Sequence, residues 1–467
     1  MIGTCELGEQ KVRPGAYFNI QKNGDEDVST DGVTAVVFRA DFGPLNTVVE
    51  LDPKNGYERT FGTGLTTDAI REAFAGGAKK VIACRAGNGG TPGTISLKDE
   101  DGASAVTITV KYPGEKEFAV KIREKLSDSD RKECIFYEGT KEIEKYVFKS
   151  GEMGAQELVE SMKSSSVFDA ALEEGRENAA LEDVSQSTFE KGSNPKVTME
   201  DYSNAFIQTE SYEFNTICVD TEDVEVHKLL QSFLNRVYEV GTLAQAVVAE
   251  KHTVELEDRM AHAAAFNDEK MNYVLNAYVD EQGTAIDGYQ TAARVAGMIG
   301  AIPSNVSLTH TVITGFSEIL EKLSNTDIIA AEEKGCIVLS YNKKKQVWFD
   351  NAINTLITLA ENQDEGWKKI RRVKTRYELI NRLNEVNDNL AGQVDNDKNG
   401  RETALSQMQE VGDSMIEEGK LTSFAIQLSS KYPPDVDSAW YEYNVIDKDS
   451  MERIHGIFRF QYSTNEE

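Results

Sequence analysis

The sequence predicts a multidomain chain that combines α/β and β architecture, with an extended strand at each end. Three observations carry that expectation. The length of 467 residues corresponds to about three domains at roughly 150 residues each. The apolar pattern changes along the chain, from strand and helix signals, to closely spaced short strands after residue 94, to strand–helix–strand again between 216 and 302. Finally, short strand-like runs stand near both termini, at 16–20 and 455–462.

Composition narrows the function classes. Lys plus Arg number 50 and Asp plus Glu 79, a net charge of −29, which argues against general affinity for nucleic acid or for an anionic membrane. No stretch approaches the roughly 20 apolar residues of a membrane span. The opening Met1-Ile2-Gly3-Thr4-Cys5-Glu6 has neither the basic nor the apolar region of a secretory signal, so release from a cell is expected by another route, such as lysis. Cys5, Cys84, Cys134, Cys218 and Cys336 are odd in number, far apart and free of any C-x-x-C pair; free buried thiols are expected.

The elements follow in order. The first ten residues are polar and nondescript. Arg13-Pro14-Gly15 breaks any helix, and the aromatic and β-branched run that follows favours an extended segment. Residues 33–38 and 80–85 read as strands on either side of a helix from Thr66 to Phe74 that Gly76-Gly77 ends. Short strands at 95–97, 106–110, 118–122, 133–136 and 144–148 suggest an inserted β-sandwich. Residues 170–202 read as an acidic surface helix and linker. Strands at 216–220, 245–249 and 271–275 flank a helix whose apolar face is Val226, Leu230, Phe233, Leu234 and Val237, and 289–302 reads as a helix of small residues. That order argues for a parallel α/β layer. A short helix closes at Gly335, and 336–339 with 346–349 read as a hairpin around Asn342-Lys343-Lys344-Lys345. Helical spacing returns in Tyr377, Ile380, Leu383, Val386 and Leu390, and in Leu405, Met408, Val411 and Met415. The last run alternates Gly456, Phe458, Phe460 and Tyr462 with His455, Ile457, Arg459 and Gln461.

Catalytic chemistry finds little footing. Gly87-Asn88-Gly89-Gly90-Thr91-Pro92-Gly93 follows a strand, but a proline and another strand stand where a dinucleotide site needs a helix N-terminus; a flexible domain junction is the expectation. There is no P-loop. His227, His252, His262, His310 and His455 include no H-E-x-x-H and no nearby cysteine pair. No Gly-x-Ser-x-Gly occurs, although a Ser-His-Asp triad assembled from distant segments is not visible to sequence. Acidic pairs such as Glu173-Glu174 and Glu332-Glu333 read as solvated helix faces. Catalytic, metal and cofactor-binding residues are therefore expected to be none.

Six segments, in order along the chain, resemble the sheath proteins of contractile phage-type tails. They are Arg13-Pro14-Gly15-Ala16-Tyr17; Thr94 to Ile122 with Val110-Lys111-Tyr112-Pro113-Gly114; 292–299 with Ser307-Leu308-Thr309; Asn351 to Thr358; Trp367 to Val373; and Asp449 to Ile454. Residues 130–215 and 390–435 match only in composition and predicted structure. The resemblance implies a subtilisin-like α/β domain, an inserted β-sandwich, an α+β C-terminal sheath domain and terminal arm strands. The expected divisions are 1–22 (arm), 23–93 (α/β), 94–190 (sandwich), 191–345 (α/β) and 346–467 (C-terminal domain with arm). "Subtilisin-like" here describes fold and gives no warrant for proteolysis.

The same resemblance implies a structural subunit, not an enzyme. It would polymerise helically with itself around a tail tube protein, bounded by baseplate and tail terminator proteins, in a virion or tail-like particle assembled in the bacterial cytoplasm. Nucleic acid, membranes and cofactors have no place in it. Ala16, Tyr17, Phe18, Asn19 and Ile20, and Ile457, Phe458, Arg459, Phe460, Gln461 and Tyr462, are the expected inter-subunit arm contacts, adding as strands to a neighbour's sheet. The densest basic run, Lys368, Lys369, Arg371, Arg372, Lys374 and Arg376, is a candidate contact to an acidic tube, with pairing to acidic neighbouring subunits as the alternative. A subtilisin-like hydrolase and a non-contractile filament or surface-layer protein are the competing functions.

Overall fold

Apolar runs too short for helices, bounded by glycine and polar residues, become the strands of a seven-stranded central sheet. The computed structural model describes residues 2–4, 16–18, 32–54 and 56–460. The sheet order is Cys336–Ile337, Met271–Val274, Gln245–Ala249, Thr216–Val219, Val33–Phe38, Lys80–Arg85, Val48–Leu51. Every neighbouring pair is parallel except the last, where Val48–Leu51 runs antiparallel at the edge. Such strands are apolar on both sides because helices cover both faces. Val36, Phe38, Val81 and Ala83 face one core, shared with Ile70 and Ala73 of helix Asp68–Gly76 and with helix Tyr289–Ala301. Ala35, Val37, Ile82 and Cys84 face the other, against helices Met199–Thr209 and Val224–Glu239.

The small residues of helix Tyr289–Ala301 have a steric reason. A Cβ on Gly297 would sit 2.0 Å from the carbonyl oxygen of Ala73, and one on Gly76 would sit 2.1 Å from that of Arg294. The two helices therefore cross with their backbones in contact. Glu72, buried between them, is held by Arg294 at 2.8 Å.

Between Lys80–Arg85 and Met199–Thr209 the chain builds two antiparallel sheets. One orders Phe168–Leu172, Ser104–Val110, Thr94–Lys98; the other orders Lys141–Lys149, Asp128–Glu138, Ala119–Lys125, Val184–Thr188. Val106, Ile108, Phe118, Phe136, Phe148 and Phe168 fill the space between, closed by helix Gly154–Met162. The expectation of a surface helix and linker over 170–202 is corrected here: 168–172 and 184–188 are strands. Only Val184 of the latter is half-buried, so this strand is held by its backbone ladder and leaves no apolar period to read.

The glycine-rich crossing at 87–93 is not a loose junction. It runs antiparallel to the returning chain, through isolated bridges Asn88↔Lys196, Thr91↔Ser193 and Thr94↔Glu190. A Cβ on Gly192 would meet the carbonyl of Thr91 at 2.2 Å, and one on Gly90 that of Ser193 at 2.7 Å, so the glycines let two backbones touch. Arg85 fastens the two sheets to the central layer. It is fully buried and donates to the carbonyls of Gly43 and Ala40 at 2.6 Å and of Pro113 at 2.9 Å. Burial pulls its pKa down to about 10, against the opposing pull of Asp41.

A second correction concerns 336–339. Cys336–Ile337 pairs with Met271–Val274 in the central sheet, and only Leu339–Tyr341 forms the hairpin with Val347–Phe349. One continuous apolar run thus serves two sheets. Cys84, Cys134, Cys218 and Cys336 are free and buried; Cys5 lies outside the described residues. The C-terminal part pairs helices Ile370–Leu390 and Lys398–Glu417 with an antiparallel hairpin, Leu421–Leu428 and Tyr441–Asp447, around Leu379, Leu383, Met408, Met415 and Phe424. Residues Met1–Thr30 form a separate unit, in which Ile2–Thr4 pairs in parallel with Ala16–Phe18.

Candidate functional site: the C-terminal arm and its root

Helix Ile370–Leu390 begins behind a single 3-10 turn, Glu365–Lys368, whose N-cap Asp364 accepts from the Gly366 amide at 3.0 Å. Its first turns bury Ile370 in the central core, and Val373 and Tyr377 against Leu243; its later turns bury Leu379 and Leu383 in the C-terminal core. The helix is a pillar between the two, and the basic run lies on it.

The structure turns that run inward. Lys368 pairs with Glu365 at 3.0 Å. Lys369 bridges Asp449 at 2.7 Å and Glu452 at 2.8 Å. Arg372 donates through Nε to Asp447 at 2.9 Å, and Arg376 through Nε to the same carboxylate at 3.0 Å. Arg376 also binds Asp364 at 2.9 Å and lies over the Trp367 ring. Lys374 is buried and donates to the carbonyls of Ile299, Gly300 and Ile302, where helix Tyr289–Ala301 ends; a cation there also suits the helix dipole. Arg371 is buried, and desolvation lowers its pKa. The tube-contact reading therefore loses the free positive face on which it rested. Lys369, Arg372 and Arg376 instead brace the root of the C-terminal arm at Asp447, Asp449 and Glu452, while Lys368 and Lys374 are occupied elsewhere.

The electrostatics of the brace are cooperative. Burial works against the Asp447 carboxylate, yet Arg372 and Arg376 outweigh it and hold its pKa below the ordinary aspartate value. Burial likewise opposes charge on Lys369, and hydrogen bonds to Asp449 and Glu452 overcome it. Glu452 also accepts from Ser307 and Thr309, each at 3.2 Å. A second cluster steadies the far end, where Glu378 receives Arg382 and Lys420, both at 2.6 Å.

Beyond Glu452 the character changes abruptly. Ile454, Ile457, Phe458 and Phe460 are between 79% and 93% exposed. The rings of Phe458 and Phe460 lie nearly parallel, 6.3 Å apart, as side chains two apart on an extended chain would. The strand expected at 455–462 is not formed: residues 451–460 join no ladder, because no partner strand is offered within the described chain. Gln461 and Tyr462 lie outside the described residues. At the other end, Ala16, Tyr17 and Phe18 are in strand, but not alone as expected: Ile2, Gly3 and Thr4, in the stretch read as nondescript, pair with them. Asn19 and Ile20 lie outside the described residues.

Sequence reasoning missed Asp364, Asp447, Asp449 and Glu452. The signal was the run itself, since so many cations on one partly buried helix require carboxylates, and Asp447-Lys448-Asp449 closes a strand. The histidines make other contacts: His252 to Asp287 at 2.6 Å, His262 to Glu250 at 2.8 Å, and His227 Nε2 to the Thr221 carbonyl at 2.8 Å. Among the described residues no group of three or more His, Cys, Asp or Glu is placed to hold a metal ion.

Comparison with known proteins bears on this architecture. Residues 195–355 match the family model of the phage tail sheath protein central domain. The chain is similar to the phage-like element PBSX protein XkdK of Bacillus subtilis, 23% identical over 396 residues, covering 82% of this chain and 81% of that one. Its fold is similar to that of the sheath tail protein of Desulfitobacterium hafniense, with TM-score 0.73 and 18% identity over 93% of this chain and all of that one. It is also similar to a chain of the anti-feeding prophage helical sheath in its contracted state, with TM-score 0.53 and 10% identity over 97% of this chain and 99% of that one.

Proposed function

We infer that this chain, whose residues 195–355 match the model of the phage tail sheath protein central domain, is a structural subunit of a contractile tail sheath. The observation that carries the inference is the family match, joined to a fold shared along nearly the whole chain with a sheath in its contracted state. Copies polymerise helically around a tail tube, associate with a baseplate, and on triggering repack to drive the tube through a target envelope. Tube, baseplate and terminator proteins are the partners, and a virion or tail-like particle, assembled in the host cytoplasm and freed by lysis, is the setting. The divisions set out from sequence, and a subtilisin-like topology for the α/β layer, belong to this reading; parallel strands with helices on both faces support the latter.

The role has no chemical step. Free energy is stored at assembly and released when rigid subunits move between two packings. The arms keep the subunits connected. Residues 453–460 expose apolar side chains and join no ladder among the described residues, a state that adding to a neighbour's sheet relieves. Each backbone hydrogen bond contributes about 1 kcal/mol net, so several per arm, repeated around rings, make a continuous mesh. A head-to-tail contact that does not close builds a helix of subunits.

Negative-stain electron microscopy of the purified chain, alone and with its co-expressed tube protein, tests the proposal. Striated hollow cylinders wider than the tube are expected. Monodisperse globular particles under both conditions would sink it.

A further inference from the structure

One strongly charged feature is left unused by the brace and the arms. The hairpin Leu339–Tyr341/Val347–Phe349 carries Lys343, Lys344 and Lys345 at its tip. All three are exposed, and none forms an ion pair within the described residues. This is unlike the 368–376 run, whose cations are nearly all occupied by carboxylates or carbonyls.

The tip is held stiffly. Asn342 Oδ1 accepts from the amides of Lys344 at 2.8 Å and Gln346 at 2.9 Å, and its Nδ2 donates to Gln346 Oε1 at 3.0 Å. Below the turn, Trp348 Nε1 donates to Ser340 at 2.8 Å and its ring stacks on His310 at 4.0 Å. Leu339, Val347 and Phe349 anchor the base in the core. Lys345 stands at φ +61°, a left-handed position where glycine would be unstrained. A side chain kept where glycine is the easier choice points to a use for that side chain. A rigid finger also loses little freedom when it docks.

We propose that this trilysine tip is an intermolecular contact that seats on an acidic surface of a second copy of this chain. Charge complementarity selects the occupant: each copy carries a net −29, so its neighbours in a homopolymer present predominantly acidic faces. The proposal rests on the reading of the chain as a self-assembling subunit and deepens it. Contacts of this kind are steered by charge and weakened by salt.

The test compares self-association of the full chain, by sedimentation velocity at low and high salt, with that of K343E/K344E/K345E. The control is K98E/K141E/K196E, which imposes the same charge change at three exposed lysines that form no ion pair among the described residues. The tip variant is expected to associate at least tenfold more weakly and to lose most of its salt dependence, the control staying near wild type. Zero-length carbodiimide crosslinking of mixed light and heavy isotope-labelled protein should yield mixed peptides joining the tip to Asp or Glu. Equal weakening in both variants, which marks a net-charge effect, overturns the proposal. So does a tip variant that self-associates normally but no longer binds co-expressed tube protein. Wild type that forms cylinders beside an unchanged tip variant overturns this inference alone; wild type that stays monomeric overturns the sheath reading with it.

Discussion

Replacing Asp447 by Asn tests the brace at its centre. The Asp447 side chain is 7% exposed, and Arg372 and Arg376 are 18% and 16% exposed. The substitution keeps size and removes the charge that two guanidiniums share. Removing one partner of a buried pair costs about 3–5 kcal/mol because the other charge is left uncompensated. Here Asp364 remains within reach of both arginines, at 3.6 Å and 2.9 Å, and the arginines are only partly buried, so about 2–3 kcal/mol is expected. For a cooperative unit of about 150–250 residues that lowers the thermal midpoint by roughly 4–12 °C. Differential scanning calorimetry supplies the magnitude, and a double-mutant cycle with R376Q isolates the pair term. The pH dependence supplies a second check. Because the folded-state pKa of Asp447 is depressed, its contribution is complete above the unfolded value of about 3.9 and is lost as pH falls through the folded value; D447N should lack that part of the acid-side decline. A loss below about 0.5 kcal/mol, the scale of an exposed surface pair, with coupling near zero, would refute the idea that this cluster braces the arm.

Further outcomes are expected elsewhere. His227 is fully buried and desolvation lowers its pKa, so the unfolded chain takes up its proton first; stability should fall as pH drops below about 6.5, and H227Q should flatten that slope when urea midpoints at pH 7.5 and 5.5 are compared. G297V places a side chain against the Ala73 carbonyl and should cost at least the roughly 1–3 kcal/mol of an overpacked core, read as a lower melting temperature; an unchanged midpoint would mean that the helices can separate freely. Deleting residues 453–467 removes exposed chain alone among the described positions, so the melting temperature should stay within about 1 °C, a shift that corresponds to a few tenths of a kcal/mol. The same deletion should abolish cylinders in negative stain, and cylinders of normal length would remove the arm from the assembly mechanism.

The central strands were legible because burial on both faces leaves unbroken apolar runs such as 33–38 and 245–249, and the inserted strands because turn residues punctuate them. Val184–Thr188 was not, since it is bound by backbone groups that every sequence carries. The split of 336–339 between two sheets was hidden because a continuous run has no internal mark where the chain changes partner. The arm's apolar alternation was visible, but whether it would find a partner in its own chain was not. The fate of the basic run was least legible: the carboxylates that occupy Arg372 and Arg376 include one more than 70 residues away, at Asp447, and only folding brings them together.

The paired crossing at Asn88↔Lys196 and Thr91↔Ser193 has an engineering consequence. Chain entry and exit of the inserted sheets lie side by side, at roughly the 5 Å Cα spacing of bridged strands. The segment between them is thus topologically a cassette. Excising it and closing the gap with a short turn would leave the order of the central strands untouched; the places to resurface are Arg85, which would lose the Pro113 carbonyl, and Phe42, whose ring packs on Tyr112 and Phe118 of the insertion. A foreign domain whose own termini lie close together could be grafted there, carrying one cargo per subunit without threading a connection through the core.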